Sequence, residues 1–230
     1  MEISPIAYAK NGFTEKFGIP RQSGLVEEVV SRIVVKKEYS VREAFRGLEG
    51  FSHIWLIWGF SEAVREKWSP TVRPPRLGGN KRVGVFATRS PFRPNSLGIS
   101  CVRLCSIEHG ENTVLTVAGA DMMNGTPVYD IKPYLPFTDS RPDAVDGFAG
   151  DVAGNNAEVV FTCAAADCAK RLGLSENTLS AIKALLREDP RPHYHESADR
   201  IYKMTFGDLN IAFFASDGTI NVTEIVSKDE

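Results

Sequence analysis

Short apolar stretches separated by turn residues run through the first half of the chain, and Asn112 to Ala120 alternates apolar with polar. Glu2 to Ala9 reads as a strand, turned by Asn11-Gly12. Val26 to Val35 is rich in β-branched residues and predicts a second strand. Phe51 to Phe60 predicts a strand crowded with aromatics. Lys81 to Thr88 and Leu97 to Ile107 predict strands on either side of a proline-rich loop, and Asn112 to Ala120 and Pro127 to Tyr134 predict two more. Ser40-Val41-Arg42-Glu43 has the form of a capping box, which predicts a short helix to Arg46. Many short strands separated by turn signals point to a closed barrel or a sandwich.

The pattern changes in the second half. From 139 to 156 Gly, Asp, Pro and Ala dominate, which reads as a linker or long loop. Ala157 to Cys163 predicts a strand. Ala165 to Glu188 has helical periodicity, broken at Gly173, restarted with Ser175 as N-cap, and stopped by Asp189-Pro190-Arg191-Pro192. Ile201 to Phe206, Leu209 to Ala215 and Ile220 to Val226 predict a three-stranded meander with turns at Gly207-Asp208 and Asp217-Gly218. The organisation expected is a mainly β domain over 1–138, a linker over 139–156 and a small α+β domain over 157–230.

Composition narrows this picture. With 230 residues, 43% hydrophobic and 24% charged, the chain has the make-up of a globular protein with a sizeable core. The longest apolar run, Ile54 to Phe60, is too short to span a bilayer. The N-terminus Met1-Glu2-Ile3-Ser4-Pro5 has no signal-peptide core, so a cytoplasmic location and no membrane partner are expected. Cys101, Cys105, Cys163 and Cys168 form no Cys-x-x-Cys pair and read as buried free thiols, the flanks of Cys101 and Cys163 alternating like strands. His193 and His195 lack metal-ligand context, so no metal is expected. Net charge is -2, yet between 63 and 95 eight basic residues face a single acid, Glu66, for a segment charge of +7. Such a basic stripe on an acidic body is a footprint for phosphate contacts, or a solvated loop.

The densest chemistry lies in Gly84-Val85-Phe86-Ala87-Thr88-Arg89-Ser90-Pro91-Phe92-Arg93-Pro94-Asn95-Ser96-Leu97-Gly98-Ile99-Ser100. Pro91 and Pro94 fix φ and remove donors, so a rigid loop presents Arg89, Ser90, Arg93 and Asn95 between two strands. No Gly-x-Gly-x-x-Gly follows a strand, which excludes a Rossmann-type nucleotide site, and neither a P-loop nor a Gly-x-Ser-x-Gly elbow is present. The residues alone describe a β-rich domain with an arginine-bearing ligand loop and name no reaction.

Together with Phe51-Ser52-His53-Ile54-Trp55, with Thr71-Val72-Arg73-Pro74-Pro75-Arg76-Leu77-Gly78-Gly79-Asn80 and with Asn124-Gly125-Thr126-Pro127-Val128-Tyr129-Asp130-Ile131-Lys132-Pro133-Tyr134, that run closely resembles the TrmO family of β-barrel tRNA methyltransferases. Asp189-Pro190-Arg191-Pro192 with Tyr194 resembles the C-terminal mark of the family's longer bacterial form. The resemblance implies a single-sheeted β-barrel with a small C-terminal α+β domain, acting as a homodimer with the cofactor near the subunit interface. It implies methyl transfer from S-adenosylmethionine to N6 of threonylcarbamoyladenosine at position 37 of tRNA. Its cofactor contacts fall on Pro20, Arg21, Gln22, Ser61, Glu62, Arg89, Ile99, Met123, Asn124, Gly125 and Thr126. Ser96-Leu97 stands where many relatives have Pro-Ile, Asn124 where many have Asp, and His195 where a basic residue is common.

The chemistry fits these residue types. An arginine pairs with a carboxylate, and a glycine turn lets backbone approach a nucleoside. Arg93 and Lys132 are candidates for the substrate side. Arg191 and Tyr194 are candidates for tRNA contact or for capping the C-terminal domain. Asp121 and Tyr134 are expected to flank the pocket and to accept or orient the proton that must leave the target nitrogen. His53, Trp55, Trp58 and Phe60 read as core residues. The alternative function is a non-catalytic RNA- or nucleotide-binding adaptor, which keeps the basic stripe and needs no cofactor.

Overall fold

The computed structural model describes residues 2–62, 67–74, 81–152, 156–191 and 200–229. Eight strands lie in the first half: β1 (Ala7–Lys10), β2 (Val30–Val35), β3 (His53–Gly59), β4 (Thr71–Val72), β5 (Val83–Gly84), β6 (Leu97–His109), β7 (Thr113–Ala118) and β8 (Pro127–Pro133). Six of them close a barrel in the order β1-β2-β7-β6-β3-β8, with every neighbour antiparallel. Closure removes the free edges that an open sheet would expose. The barrel interior is apolar, with Ala7, Ile33, Ile54, Leu56, Leu115 and Val128 fully enclosed. On β3 the alternation sends Ile54, Leu56 and Trp58 inward and His53, Trp55 and Ile57 to the outer face.

The ladder is shorter than the apolar pattern in three places. The β1 ladder begins at Ala7, with Ile6 adding its amide to the Val128 carbonyl and its carbonyl to the Lys36 amide, both at 2.8 Å. Val26 and Val29 are buried, but in the C-terminal core, so β2 starts at Val30. The stretch 81–88 is not one strand: only Val83–Gly84 pair, with Thr71–Val72, after which Val85–Ala87 wind into a 3-10 turn. That turn is fixed by the Val85 amide on the Pro70 carbonyl at 2.9 Å and by Thr88 Oγ1 on the Val85 carbonyl at 2.8 Å.

The expected capping box does not form. The short 3-10 helix Arg42–Phe45 has Val41 at its N-cap and no side-chain cap. Ser40 instead donates to the Val35 and Lys36 carbonyls and accepts from the Thr113 amide at 2.9 Å. A long-range strand contact takes the hydroxyl that the local pattern assigned to the helix.

Beyond the barrel come a one-turn helix α1 (Pro136–Asp139) and a 3-10 segment Gly147–Val152. The C-terminal region holds β9 (Glu158–Phe161), α2 (Cys163–Arg171), α3 (Glu176–Arg187), β10 (Tyr202–Phe206), β11 (Leu209–Ser216) and β12 (Thr219–Ser227). Its sheet runs β10-β11-β12-β9, with β9 parallel to β12. Thr162 and Ser175 cap the two helices, and Gly173 with φ 63° separates them. Cys163 therefore opens a helix rather than closing a strand. The four cysteines are free, two exposed and two half-buried, which corrects the expectation of buried thiols. Phe13, Val26 and Val29 from the N-terminal half join this second core with Ile182, Leu186 and Phe213. No helix among the described residues is long and apolar enough to cross a membrane.

Candidate active site

Residues far apart in sequence converge where β6 begins and β7 has just ended. Extending the Arg103–Ala118 pairing by three residues brings Asp121 opposite Ser100. A chain of hydrogen bonds results: Trp58 Nε1 donates to Ser100 Oγ at 2.8 Å, and Ser100 Oγ donates to Asp121 Oδ1 at 2.5 Å. Trp58 reaches Ser100 because Gly98 leaves no side chain beneath the indole. Ser100 is fully buried, one of few polar side chains enclosed in the barrel. Burial pushes the Asp121 carboxyl above its ordinary value, while Ser100, the Ser23 N–H and the nearby Arg89 charge oppose that rise.

The loop after β1 supplies the other wall. The Gly24 amide donates to the Gly119 carbonyl at 2.9 Å, pinning this loop beside Asp121. Gly119 has φ 80°, and a Cβ there would stand 3.1 Å from Gly24 backbone, so the approach requires glycine. Arg89 donates to Gln22 Oε1 and stays exposed. Gln22, Ser23, Arg89, Ser100 and Asp121 thus form one cluster of a cation, a half-buried carboxylate and an amide.

Met123 to Thr126 follow Asp121 directly and lie against the end of β1. Asn124 and Gly125 donate their amides to the Phe13 and Ala9 carbonyls, both at 2.8 Å. Asn124 Oδ1 accepts from the Asn11 amide at 3.3 Å, a bond that an aspartate there would also accept. Gly125 has φ 82° and open space around the position a Cβ would take. Ser61 and Glu62 are exposed just beyond β3, with Glu62 held by Lys16 Nζ on its carbonyl at 2.9 Å. Pro20 is buried.

Other expected site residues lie elsewhere. Arg21 turns to the C-terminal region, donating to the Asp189 carbonyl at 3.1 Å. Arg191 is held by Asp189 through two bonds of 2.7 Å, a bidentate pair that favours the structural cap over the tRNA contact. Tyr194, Arg65, Arg76, His193 and His195 fall outside the described residues. Arg93 braces its own loop, donating to the Thr88 carbonyl at 2.6 Å. Ile99 points outward from β6, 52% exposed, on the opposite face from Ser100. Lys132 pairs with Asp130 at 3.0 Å on the outer face of β8.

Tyr134 is not brought to Asp121 within the chain. It follows β8, packs on Trp55 with centroids 5.7 Å apart, and donates its amide to the His53 carbonyl. His53 and Trp55 also belong to this outer face, which corrects their reading as core. Trp55 Nε1 donates to Asp139 Oδ2 at 2.9 Å. Trp58 and Phe60 do pack together at the barrel end, with centroids 4.3 Å apart. Ser100 was not among the expected residues; its signal is a lone hydroxyl at an inward position of an apolar strand. A cleft of about 460 Å³ is lined by Tyr39, Phe45, Leu48, Asp130 and Pro133 and by none of Gln22, Arg89, Ser100 and Asp121. Among the described residues no cluster of three metal-ligating side chains occurs.

A closed antiparallel barrel whose end gathers an exposed arginine, a half-buried carboxylate and an open glycine turn defines a ligand-binding barrel unlike the glycine-loop nucleotide folds. The chain matches the tRNA-methyltransferase O N-terminal domain over residues 8–140 and the TrmO C-terminal domain over residues 155–228. It is 39% identical over 228 residues to tRNA (adenine(37)-N6)-methyltransferase of Escherichia coli strain K12, covering 96% of each chain. It is 44% identical over 177 residues to the protein of the same name from Eikenella corrodens, covering 77% of this chain and 98% of that one. A crystal structure of TrmO from Pseudomonas aeruginosa superposes with a TM-score of 0.82 at 33% identity, covering 99% of this chain and 98% of that one. The chain belongs to the TrmO family.

Proposed function

We propose that this protein methylates N6 of threonylcarbamoyladenosine at position 37 of tRNA, acting as a homodimer. At the coarser level it is an S-adenosylmethionine-dependent tRNA adenine(37)-N6 methyltransferase, as its family membership implies. Relatives named for S-adenosylmethionine dependence or binding support the cofactor. The observation that carries the site is the convergence of Gln22, Arg89, Ser100 and Asp121 at one barrel end.

The donor set fits the cofactor. Arg89 offers a guanidinium fork to a carboxylate, and its position beside Gln22 leaves it exposed for that role. The open Gly125 turn lets backbone approach a nucleoside closely. When bound, S-adenosylmethionine supplies an electrophilic methyl group on a cationic sulfur. Methyl transfer would form the N–C bond as the sulfur–methyl bond breaks and a neutral thioether leaves, and the one proton on the target nitrogen would have to depart. Asp121, kept basic by burial and oriented by Ser100, accepts that proton. Trp58 holds Ser100 in the donating orientation. The barrel wall excludes water from the inner side of this cluster and fixes its geometry.

The homodimer rests on the outer face of β3, β6 and β8. Leu97 and Ile99 are 39% and 52% exposed there, beside Ile57 and Trp55 across the β3–β6 ladder. A second copy on this face covers an apolar patch and brings its Ile99, Lys132 and Tyr134 toward a subunit boundary. The test begins with calorimetric titration of S-adenosylmethionine into the wild type and Arg89→Ala. Micromolar binding weakened about 10- to 100-fold by the substitution supports the cofactor site, since a charge-assisted hydrogen bond contributes about 1.5–3 kcal/mol. Labelled methyl transfer to tRNA with and without the threonylcarbamoyl group then tests the substrate. No binding by the wild type would favour the adaptor; transfer only to unmodified adenosine would remove the threonylcarbamoyl assignment.

A further inference from the structure

The arm formed by β4, β5 and the turn after them contributes Arg89 to the site but carries more than that. Trp68 and Phe86 stand on it 49% and 69% exposed, their rings stacked with centroids 6.0 Å apart and planes 28° from parallel. The Arg93 guanidinium lies over the Phe86 ring, 5.8 Å from its centroid. The arm is held in shape. β4 pairs with β5, Ser69 Oγ donates to the Thr71 carbonyl at 2.7 Å, and Arg82 donates to Thr71 Oγ1 at 3.3 Å. The Val85 amide ties the Phe86 turn back to Pro70.

Two large aromatics stacked in water leave apolar area that a stability-driven surface would bury. Their surroundings say what covers them. Lys67, Arg73, Lys81 and Arg82 are exposed on the same arm, and no acid occurs over 67–74 or 81–95. No ion pair involves these four cations among the described residues. A flat π surface framed by unpaired cations fits a polyanion that presents unstacked rings, which is a single-stranded RNA loop. A protein surface would have to bring several carboxylates to match.

We infer that Trp68 and Phe86 form a stacking platform for an unpaired base of the RNA substrate, with Lys67, Arg73, Lys81 and Arg82 on its phosphates. This rests on the tRNA reading above and adds where the loop is held. Phe86 lies in the 3-10 turn Val85–Ala87 and Arg89 follows its C-cap Thr88, three residues on, so a base on the platform keeps its neighbours near the Arg89–Asp121 cluster.

The test uses the full chain and two labelled RNAs: an anticodon stem-loop and a blunt duplex of equal length and charge. Trp68→Ala and Phe86→Ala should each weaken the stem-loop about tenfold, the effect of losing one stacked base. Duplex affinity, the salt dependence of binding and S-adenosylmethionine titration should not change, because phosphate contacts remain. Trp68→Phe should restore stem-loop affinity. Equal losses on stem-loop and duplex, or no loss on either, would overturn the platform while leaving the tRNA reading in place. A change of oligomeric state in the alanine variants, seen by sedimentation, would overturn it in favour of a self-interface. Failure of the wild type to bind either RNA would sink the tRNA reading itself, and the platform with it.

Discussion

Replacing Asp121 with asparagine separates what this residue does for stability from what it does for chemistry. Burial raises the carboxyl above the ordinary carboxylate value of 3.8, and the Ser100, Ser23 and Arg89 interactions reduce that rise without cancelling it. The folded state therefore prefers the neutral acid. The stabilisation Asp121 gives is complete below the ordinary carboxylate range and is lost as pH climbs through the raised folded value. At pH 7.5 the charged carboxylate is a net cost. Asparagine removes that charge and still accepts the Ser100 hydroxyl through Oδ1. Each unit of pKa elevation corresponds to about 1.4 kcal/mol, and each kcal/mol to about 2–4 °C of Tm at this chain length. Asp121→Asn is therefore expected to melt higher than wild type at pH 7.5. The advantage should shrink as pH falls and the wild-type acid takes up its proton. Methyl transfer should fall by about 10²–10⁴-fold, the usual contribution of a positioned base. The assay is thermal unfolding between pH 4 and 8 at fixed ionic strength, paired with a methyl-transfer rate on tRNA. A Tm difference that stays flat across pH, or wild-type turnover in the variant, would refute the reasoning.

Two further substitutions probe the support of the site. Gly98→Ala places a methyl into the Trp58 indole, and overpacking of that kind costs about 1–3 kcal/mol. Lower Tm should come with slower turnover, because Trp58 can no longer hold Ser100; a fall in Tm with unchanged turnover would remove the indole from the site's support. Ile99→Asp puts a charge on the outer face of β6 and should yield monomers by sedimentation velocity. A dimer that persists would move the proposed interface off this face.

The sequence pattern located the elements whose local and tertiary preferences agree. β3, β6, β7 and β8 follow from period-two alternation because one side of each faces the barrel interior. The α2–α3 break follows from Gly173 and the Ser175 cap, both local signals. Misreadings cluster where a distant partner decides. Ser40 has the sequence of an N-cap, yet β7 takes its hydroxyl through the Thr113 amide. Val26 and Val29 have strand chemistry, yet their burial is with α3 and β11 residues. Lys81 to Thr88 reads as a strand, yet β4 is only two residues long and gives the rest no ladder partner.

The sequence named candidate site residues but not how they are arranged. Arg89 and Gln22 meet across sixty-seven positions, and Asp121 meets Ser100 across twenty-one, so no short window contains either pair. Alternation alone does put Ile99 and Ser100 on opposite faces of β6, and that single fact divides the expected residues into two groups. Asp121, Arg89 and Gln22 belong to the barrel end; Ile99, Lys132 and Tyr134 belong to the outer face of β3, β6 and β8. Tyr134 packs on Trp55 and His53 on that outer face, and Asp121 bonds to the inward-facing Ser100. If both groups serve one ligand, the second must come from another copy of the chain. A two-fold arrangement meets that need, because an isologous contact through the outer face presents each copy's Tyr134 to its partner. This is why Ile99→Asp bears on the active site as well as on assembly: a monomer that retained full methyl transfer would show the two groups to be independent.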